Sequence, residues 1–172
     1  TDVTRTGEWS PIVETCWWKE PSDHAEVGAW FIGRNVTPKR TWETESLVTE
    51  AQRPIAFQWA VAGGVVRWGY TIAPTDTGCE LTETWELTQQ GLDFFREKYG
   101  DDAENQLADR RAAALAGIPA TLVRIKEIAH TTPHRVANKQ TKQQTKVGGV
   151  PMRPIRHTQH PTHTIWNYQC WQ

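Results

Sequence analysis

Cysteine is scarce and unpaired in this chain: Cys16, Cys79 and Cys170 make an odd number. None stands at the short spacing of a zinc knuckle or a redox dithiol. A disulfide framework is therefore excluded as the source of stability, and a reduced, cytoplasmic setting is the expectation. Long apolar runs are also missing. No stretch approaches the roughly 18 to 20 apolar residues that a spanning helix needs, and no charged-then-apolar leader is visible after Thr1. Gly63-Gly64 is followed by neither Lys-Ser nor a helical pattern, so no phosphate-cradling loop is present. Nucleophile elbows and a Ser-His-Asp order are absent as well. Acidic residues vanish after His130.

That last absence divides the chain. Up to His130 there are 13 Lys and Arg against 20 Asp and Glu, a formal charge of −7; beyond it there are 6 against none, or +6. An acidic domain over residues 1–130 is followed by a basic tail over 131–172. The tail is rich in His, Pro, Thr and Gln, has little to bury, and is expected to be largely irregular; only Thr164 to Trp171 carries aromatic residues that can dock on the domain. His157, His160 and His163 recur every third residue there, but no scaffold fixes them. His24 and His130 are isolated, and no carboxylate or cysteine cluster accompanies any of them. Neither a metal nor an organic cofactor is expected. Six basic residues in the tail can attract phosphates, yet the domain is acidic and no recognition module is present, so specific nucleic-acid binding is not expected.

What the chain has in quantity is tryptophan, ten in 172 residues. A disordered chain has no use for such large apolar surfaces. Their spacing is that of strands. Ile12 to Trp18 and Val27 to Val36 favour extended structure. Trp42, Thr44, Ser46 and Val48 share one face of the next run, as do Ile55, Phe57, Trp59 and Val61 of the fourth. Gly63-Gly64 makes a hairpin, after which Val66, Trp68, Tyr70 and Ile72 repeat the pattern. Pro74 to Gly78 turns the chain into a last strand with Cys79, Leu81, Glu83 and Trp85 on one face. Six strands joined by short turns predict an antiparallel meander. The period then changes. Leu92 to Tyr99 predicts a short helix, and Ala103 to Ala129 a longer one capped by Asp101 or Asp102. Its apolar stripe is Leu107, Leu115, Ile118, Leu122, Ile125 and Ala129, suited to covering one face of the sheet. Pro119 predicts a bend near Ala113 to Pro119.

This α+β order resembles the helix-grip fold of the SRPBCC superfamily, the START-like ligand-binding domains, and most closely the actinobacterial proteins of polyketide cyclase or dehydrase type. The resemblance is carried by Asp2 to Pro11, by Val27-Gly28 with Phe31, Gly33 and Asn35, and by Val48-Thr49-Glu50 running into Arg53-Pro54. It continues through Trp68, Tyr70, Pro74-Thr75-Asp76 and Leu81 to Glu86. Residues 2 to 129 are covered. It implies a curved antiparallel sheet wrapped around a long C-terminal helix. The family places a further strand and a fuller helix ahead of the opening segment, and both are missing before Asp2. A bare sheet edge would follow, to be covered by a second copy in a homodimer or by Thr164 to Trp171 folding back.

A cavity between sheet and helix, holding a small hydrophobic or aromatic molecule, is the functional expectation. Phe31, Trp42, Phe57, Trp59, Trp68 and Trp85 are candidate walls, with Ile118 and Leu122 facing them from the helix and Gly117 able to admit a close approach. Asn35 shares the face of Phe31 and Gly33 that, in the resembling family, looks into the cavity. Glu83 falls between Leu81 and Trp85 on the helix side. Burial there raises a carboxyl's pKa, which suits a general acid or base, and Tyr70 is its candidate companion. The alternative reading is an enzyme of cyclase, dehydratase or hydrolase type acting on a polyketide-like carbonyl compound through Glu83 or Tyr70. Structural hydrogen bonds inside a filled core would account for the same residues without any ligand.

Overall fold

Period-two alternation becomes strand wherever it occurs. In the computed structural model, which describes residues 2–20 and 25–131 in full and 155–160 and 163–171 as backbone, the strands are β1 (Val13–Trp18), β2 (Trp30–Thr37), β3 (Arg40–Gln52), β4 (Ala56–Val61), β5 (Val66–Thr75) and β6 (Gly78–Leu87). Consecutive strands pair antiparallel, giving the predicted meander. β2 begins three residues later than expected. Gly28 takes a left-handed φ of +92° and Ala29 N–H bonds back to Glu26 O, so Val27 belongs to a turn and is 66% exposed. The hairpin after β4 is the predicted one, with positive φ at Ala62, Gly63 and Gly64.

Two helices follow. α1 (Gln89–Tyr99) starts earlier than its apolar pattern suggests, because Thr88 caps it: Oγ1 accepts from Gly91 N–H at 3.1 Å. The same hydroxyl donates to Gly64 O at 2.6 Å, tying the helix to the hairpin. Gly91 is required here, since a Cβ would collide with Val65 O. α2 (Ala103–Thr131) continues through Pro119 as one element. Ile118 and Leu122 are each 1% exposed against the sheet, and that packing outweighs the hydrogen bond that proline removes. Asp102 accepts from the side chains of Asn105 and Gln106. At the middle of α2 it is Ala114, not Leu115, that is fully buried.

The core has two parts. One joins Val65, Leu81, Trp85 and Leu87 of the sheet side to Phe95, Leu107, Ala114, Ile118 and Leu122 of the helices. The other, around Val3, Cys16, Phe31, Val48 and Phe57, fills the far end of the sheet under the 3₁₀ segment Val3–Glu8.

Part of the tail expected to be irregular is extended: β7 (Ile155–His160) and β8 (His163–Trp171) continue the sheet in the order β1-β2-β3-β4-β5-β6-β8-β7. β8 pairs with β6 from Gly78, opposite Trp171, to Glu86, opposite His163. The segment Thr164 to Trp171 thus lies along the β6 edge of its own chain. The expectation for residues 132–154 falls outside the described residues.

Candidate functional site

Register brings Phe57, Tyr70 and Glu83 side by side on β4, β5 and β6. All three belong to the face that receives α2. Tyr70 donates from its hydroxyl to Glu83 Oε1 at 3.1 Å. Glu83 is 4% exposed, and its Oε2 is buried with no hydrogen-bond partner among the described residues. Desolvation pushes the Glu83 carboxyl up to about 8, against the opposing effect of the Tyr70 hydrogen bond. Burial likewise holds the Tyr70 phenol well above its usual range, with the neighbouring carboxylate adding to the effect. A carboxyl poised near neutrality and bonded to a neutral phenol can both donate and accept a proton.

Beside this pair opens a cavity of about 540 Å³. Its walls come from the ends of elements. The β3–β4 turn supplies Gln52, Arg53, Pro54 and Ile55; β4 supplies Ala56 and Phe57; β5 supplies Tyr70 and Ile72; β6 supplies Leu81. The last turns of α2 close the opposite side with Ile125, Ile128 and Ala129, and Arg5 and Trp9 enter from the opening segment. That segment is held to α2 by Arg124 Nε donating to Glu8 O at 3.2 Å. The Trp9 indole N–H is buried near the Tyr70 phenol without a hydrogen bond of normal geometry. Ile55 and Ile72 stay 47% and 38% exposed, so apolar surface is left wet at the opening.

The residues singled out from the sequence divide between this cavity and the core. Phe57 and Tyr70 line the cavity, and Glu83 stands next to Tyr70. Trp59 stacks on Trp68 at 6.5 Å between ring centroids and touches Tyr70 at 5.7 Å, so these two tryptophans back the wall. Trp85, Ile118 and Leu122 are packed in the helix-side core, and Phe31 in the other cluster with its edge toward Trp59. Trp42 lies under the Arg40 guanidinium, 4.2 Å from ring centroid to Cζ. Asn35 spends its amide on Gly33 O, Trp42 O and Thr44 Oγ1, within the β2–β3 pair and away from the cavity. Gly117 faces Pro11 of the opening segment, not a cavity.

Arg5, Trp9, Gln52 and Arg53 escaped the sequence reading as wall residues. They sit in the β3–β4 turn region and in the opening segment, where no periodicity marks a face. Alternation puts Ile55 on the face of Phe57, Trp59 and Val61, but the strand starts one residue after it. Ile125 and Ala129 were on the apolar stripe; only their place at the end of α2, past the packed core, makes them cavity residues.

Comparison with protein-family models and with curated proteins gives no match. Among solved structures the chain is similar to a polyketide-cyclase-like protein of Corynebacterium glutamicum determined by solution NMR. The two are 47% identical, over 81% of this chain and 85% of that one, with a TM-score of 0.56. Identity at this level over most of both chains accords with the helix-grip order of strands and helices described above. The chain belongs to the polyketide-cyclase-like family of START-like, SRPBCC helix-grip domains, a fold built around a ligand-binding cavity.

Proposed function

We propose that the domain binds a small apolar or aromatic molecule in the cavity between the sheet and the end of α2, with no metal or organic cofactor required. The observation that carries this reading is the 540 Å³ space itself, walled by Ile55, Phe57, Ile72, Leu81 and Ile125 and given a polar spot by Tyr70. Apolar walls with one or two fixed polar groups are what an orienting small-molecule site needs. Native mass spectrometry of the unstripped protein and a thermal-shift screen of aromatic and isoprenoid compounds test it. The expected result is saturable binding of one molecule per chain, abolished by Ala129→Trp, which fills the cavity. A protein that binds nothing in either assay would sink the reading.

The buried pair favours a second reading, in which the bound molecule is a carbonyl compound of polyketide type and the domain acts as a cyclase, dehydratase or hydrolase. Tyr70 borders the cavity, and Glu83 behind it, near 8, supplies or removes the proton. The C. glutamicum protein's designation as polyketide-cyclase-like supports the substrate class. Deuterium uptake at the α-carbon of an aryl ketone in D₂O tests it; uptake unaffected by both Tyr70→Phe and Glu83→Gln removes the reading.

Setting and assembly complete the proposal. Free thiols at Cys16 and Cys79 support a reducing, cytoplasmic environment. Homodimerisation is tied to the β6 edge: a second copy would compete there with β8 of the same chain.

A further inference from the structure

Charge at the mouth of the cavity is unevenly compensated. Arg5 is committed, its Nε and Nη2 donating to the two carboxylate oxygens of Glu8 at 2.7 Å each. Arg124, which ties the opening segment to α2, spends Nη1 on Glu127 at 2.9 Å and Nε on Glu8 O. Arg53 differs. It lines the cavity from the β3–β4 turn, it is exposed, and among the described residues it has neither an ion pair nor a side-chain hydrogen bond. The turn that carries it is closed by Ile55 N–H to Gln52 O at 2.6 Å, so its backbone position is fixed at the rim.

We propose that the cavity selects amphipathic monocarboxylates, with the apolar body against Ile55, Phe57 and Ile125 and the carboxylate on the Arg53 guanidinium at the mouth. This rests on the cavity being a ligand site, and adds to it the charge and orientation of the ligand. A guanidinium presents two parallel N–H donors that match the two oxygens of a carboxylate. One uncompensated cation matches one negative charge; a phosphate dianion would bring a second negative charge to a lining whose other cation, Arg5, is already paired with Glu8. Walls this apolar leave a fully charged or highly polar molecule without partners. Anchoring at the rim also sets direction: the end remote from the carboxylate is carried toward the Tyr70 hydroxyl, so a ligand with one hydrogen-bonding atom at that end is held at both.

Isothermal titration of the full chain with decanoate and with decan-1-ol, which share a chain and differ in charge, tests the anchor. Decanoate is expected to bind more tightly than the alcohol, with an affinity that falls as salt is raised. Arg53→Met should weaken decanoate roughly fivefold, the size of one favourable, partly screened ion pair, and leave the alcohol within twofold. Arg96→Met, which removes an α1 cation paired with Asp93 and outside the cavity lining, should leave the ratio of the two affinities unchanged. Equal loss of both probes in Arg53→Met, or undiminished decanoate binding, overturns the anchor while leaving the cavity reading in place. Binding of the alcohol without decanoate overturns it too. Failure of both probes to bind the wild-type protein defeats the cavity reading together with the anchor.

Discussion

Tyr70 and Glu83 form a cross-strand pair in which, among the described residues, the phenol is the one hydrogen-bond partner of a carboxyl that is almost wholly buried. Each depends on the other. Without the hydroxyl, both oxygens of Glu83 would be buried unpaired; without the carboxyl, the hydroxyl would lose its acceptor.

Stability should therefore depend on pH through Glu83. Its pKa is about 8 in the folded protein and near 4.5 when the chain is unfolded. Between those values the folded state holds a proton that the unfolded state has released, so this group's contribution is fully present below about 4.5 and is lost as pH rises toward 8. The slope at its steepest is about 1.4 kcal/mol per pH unit. Glu83→Gln keeps the shape and removes the titration. Urea unfolding from pH 5 to pH 9 should show wild-type stability falling across the window more steeply than that of the variant. Parallel curves for the two proteins would assign the pH dependence elsewhere.

Tyr70→Phe should cost about 1–3 kcal/mol, the penalty for leaving a buried acceptor without a donor. It should also push the Glu83 carboxyl higher still, since the one interaction that lowers it is gone. Chemical denaturation gives the first quantity, and the ¹³C shift of the labelled carboxyl against pH gives the second. A titration midpoint that moves down would contradict the hydrogen bond.

Truncation in the helix-side core should be far costlier than truncation in the cavity. Leu122→Ala removes a side chain that is 1% exposed and should lose about 2–5 kcal/mol. Ile72→Ala, at a wall already 38% exposed, should lose about 1 kcal/mol or less and act on ligand affinity. Similar losses at the two positions would mean that the cavity is closed in solution.

The β8–β6 register can be read by cross-linking, because Cys79 stands opposite Cys170. Facing residues of an antiparallel pair have Cα atoms about 4.5–5.5 Å apart, within reach of a disulfide. Mild oxidation with diamide should join the two within one chain, detected as a loss of two hydrogens by intact mass, and Cys170→Ser should abolish it. A chain cut after His130 should then expose β6, melt at lower temperature and self-associate in sedimentation. No cross-link, together with an unchanged melting temperature after the cut, would remove β8 from the sheet.

Alternation of apolar and polar residues made the six strands legible, because a strand turns over its faces every second residue and Trp59, Trp68 and Trp85 keep strict step with that period. Glu83 was legible for the same reason: a carboxylate between Leu81 and Trp85 on such a face has no route to water. Helix starts were less so. The cap at Thr88 answers to a hairpin carbonyl 24 residues away, which no local pattern records. Asn35 shows what periodicity leaves open, an amide on the inward face whose partners, Gly33, Trp42 and Thr44, are all supplied by its own hairpin.

By itself the sequence determined the α+β class, the order of the meander and helices, and the inward face of Glu83, since these follow from local periodicity; the pairing of Tyr70 with Glu83 came with the cross-strand register. Only the tertiary structure decided where space remains. The cavity exists because α2 packs tightly through Leu107, Ala114, Ile118 and Leu122 and then runs past the end of that contact, leaving Ile125, Ile128 and Ala129 over the β3–β4 turn. The volume left unfilled is the difference between two large packed surfaces, and a difference of that kind depends on the relative placement of segments more than sixty residues apart in the chain. The same placement brings Arg53 to the rim and lays β8 along β6.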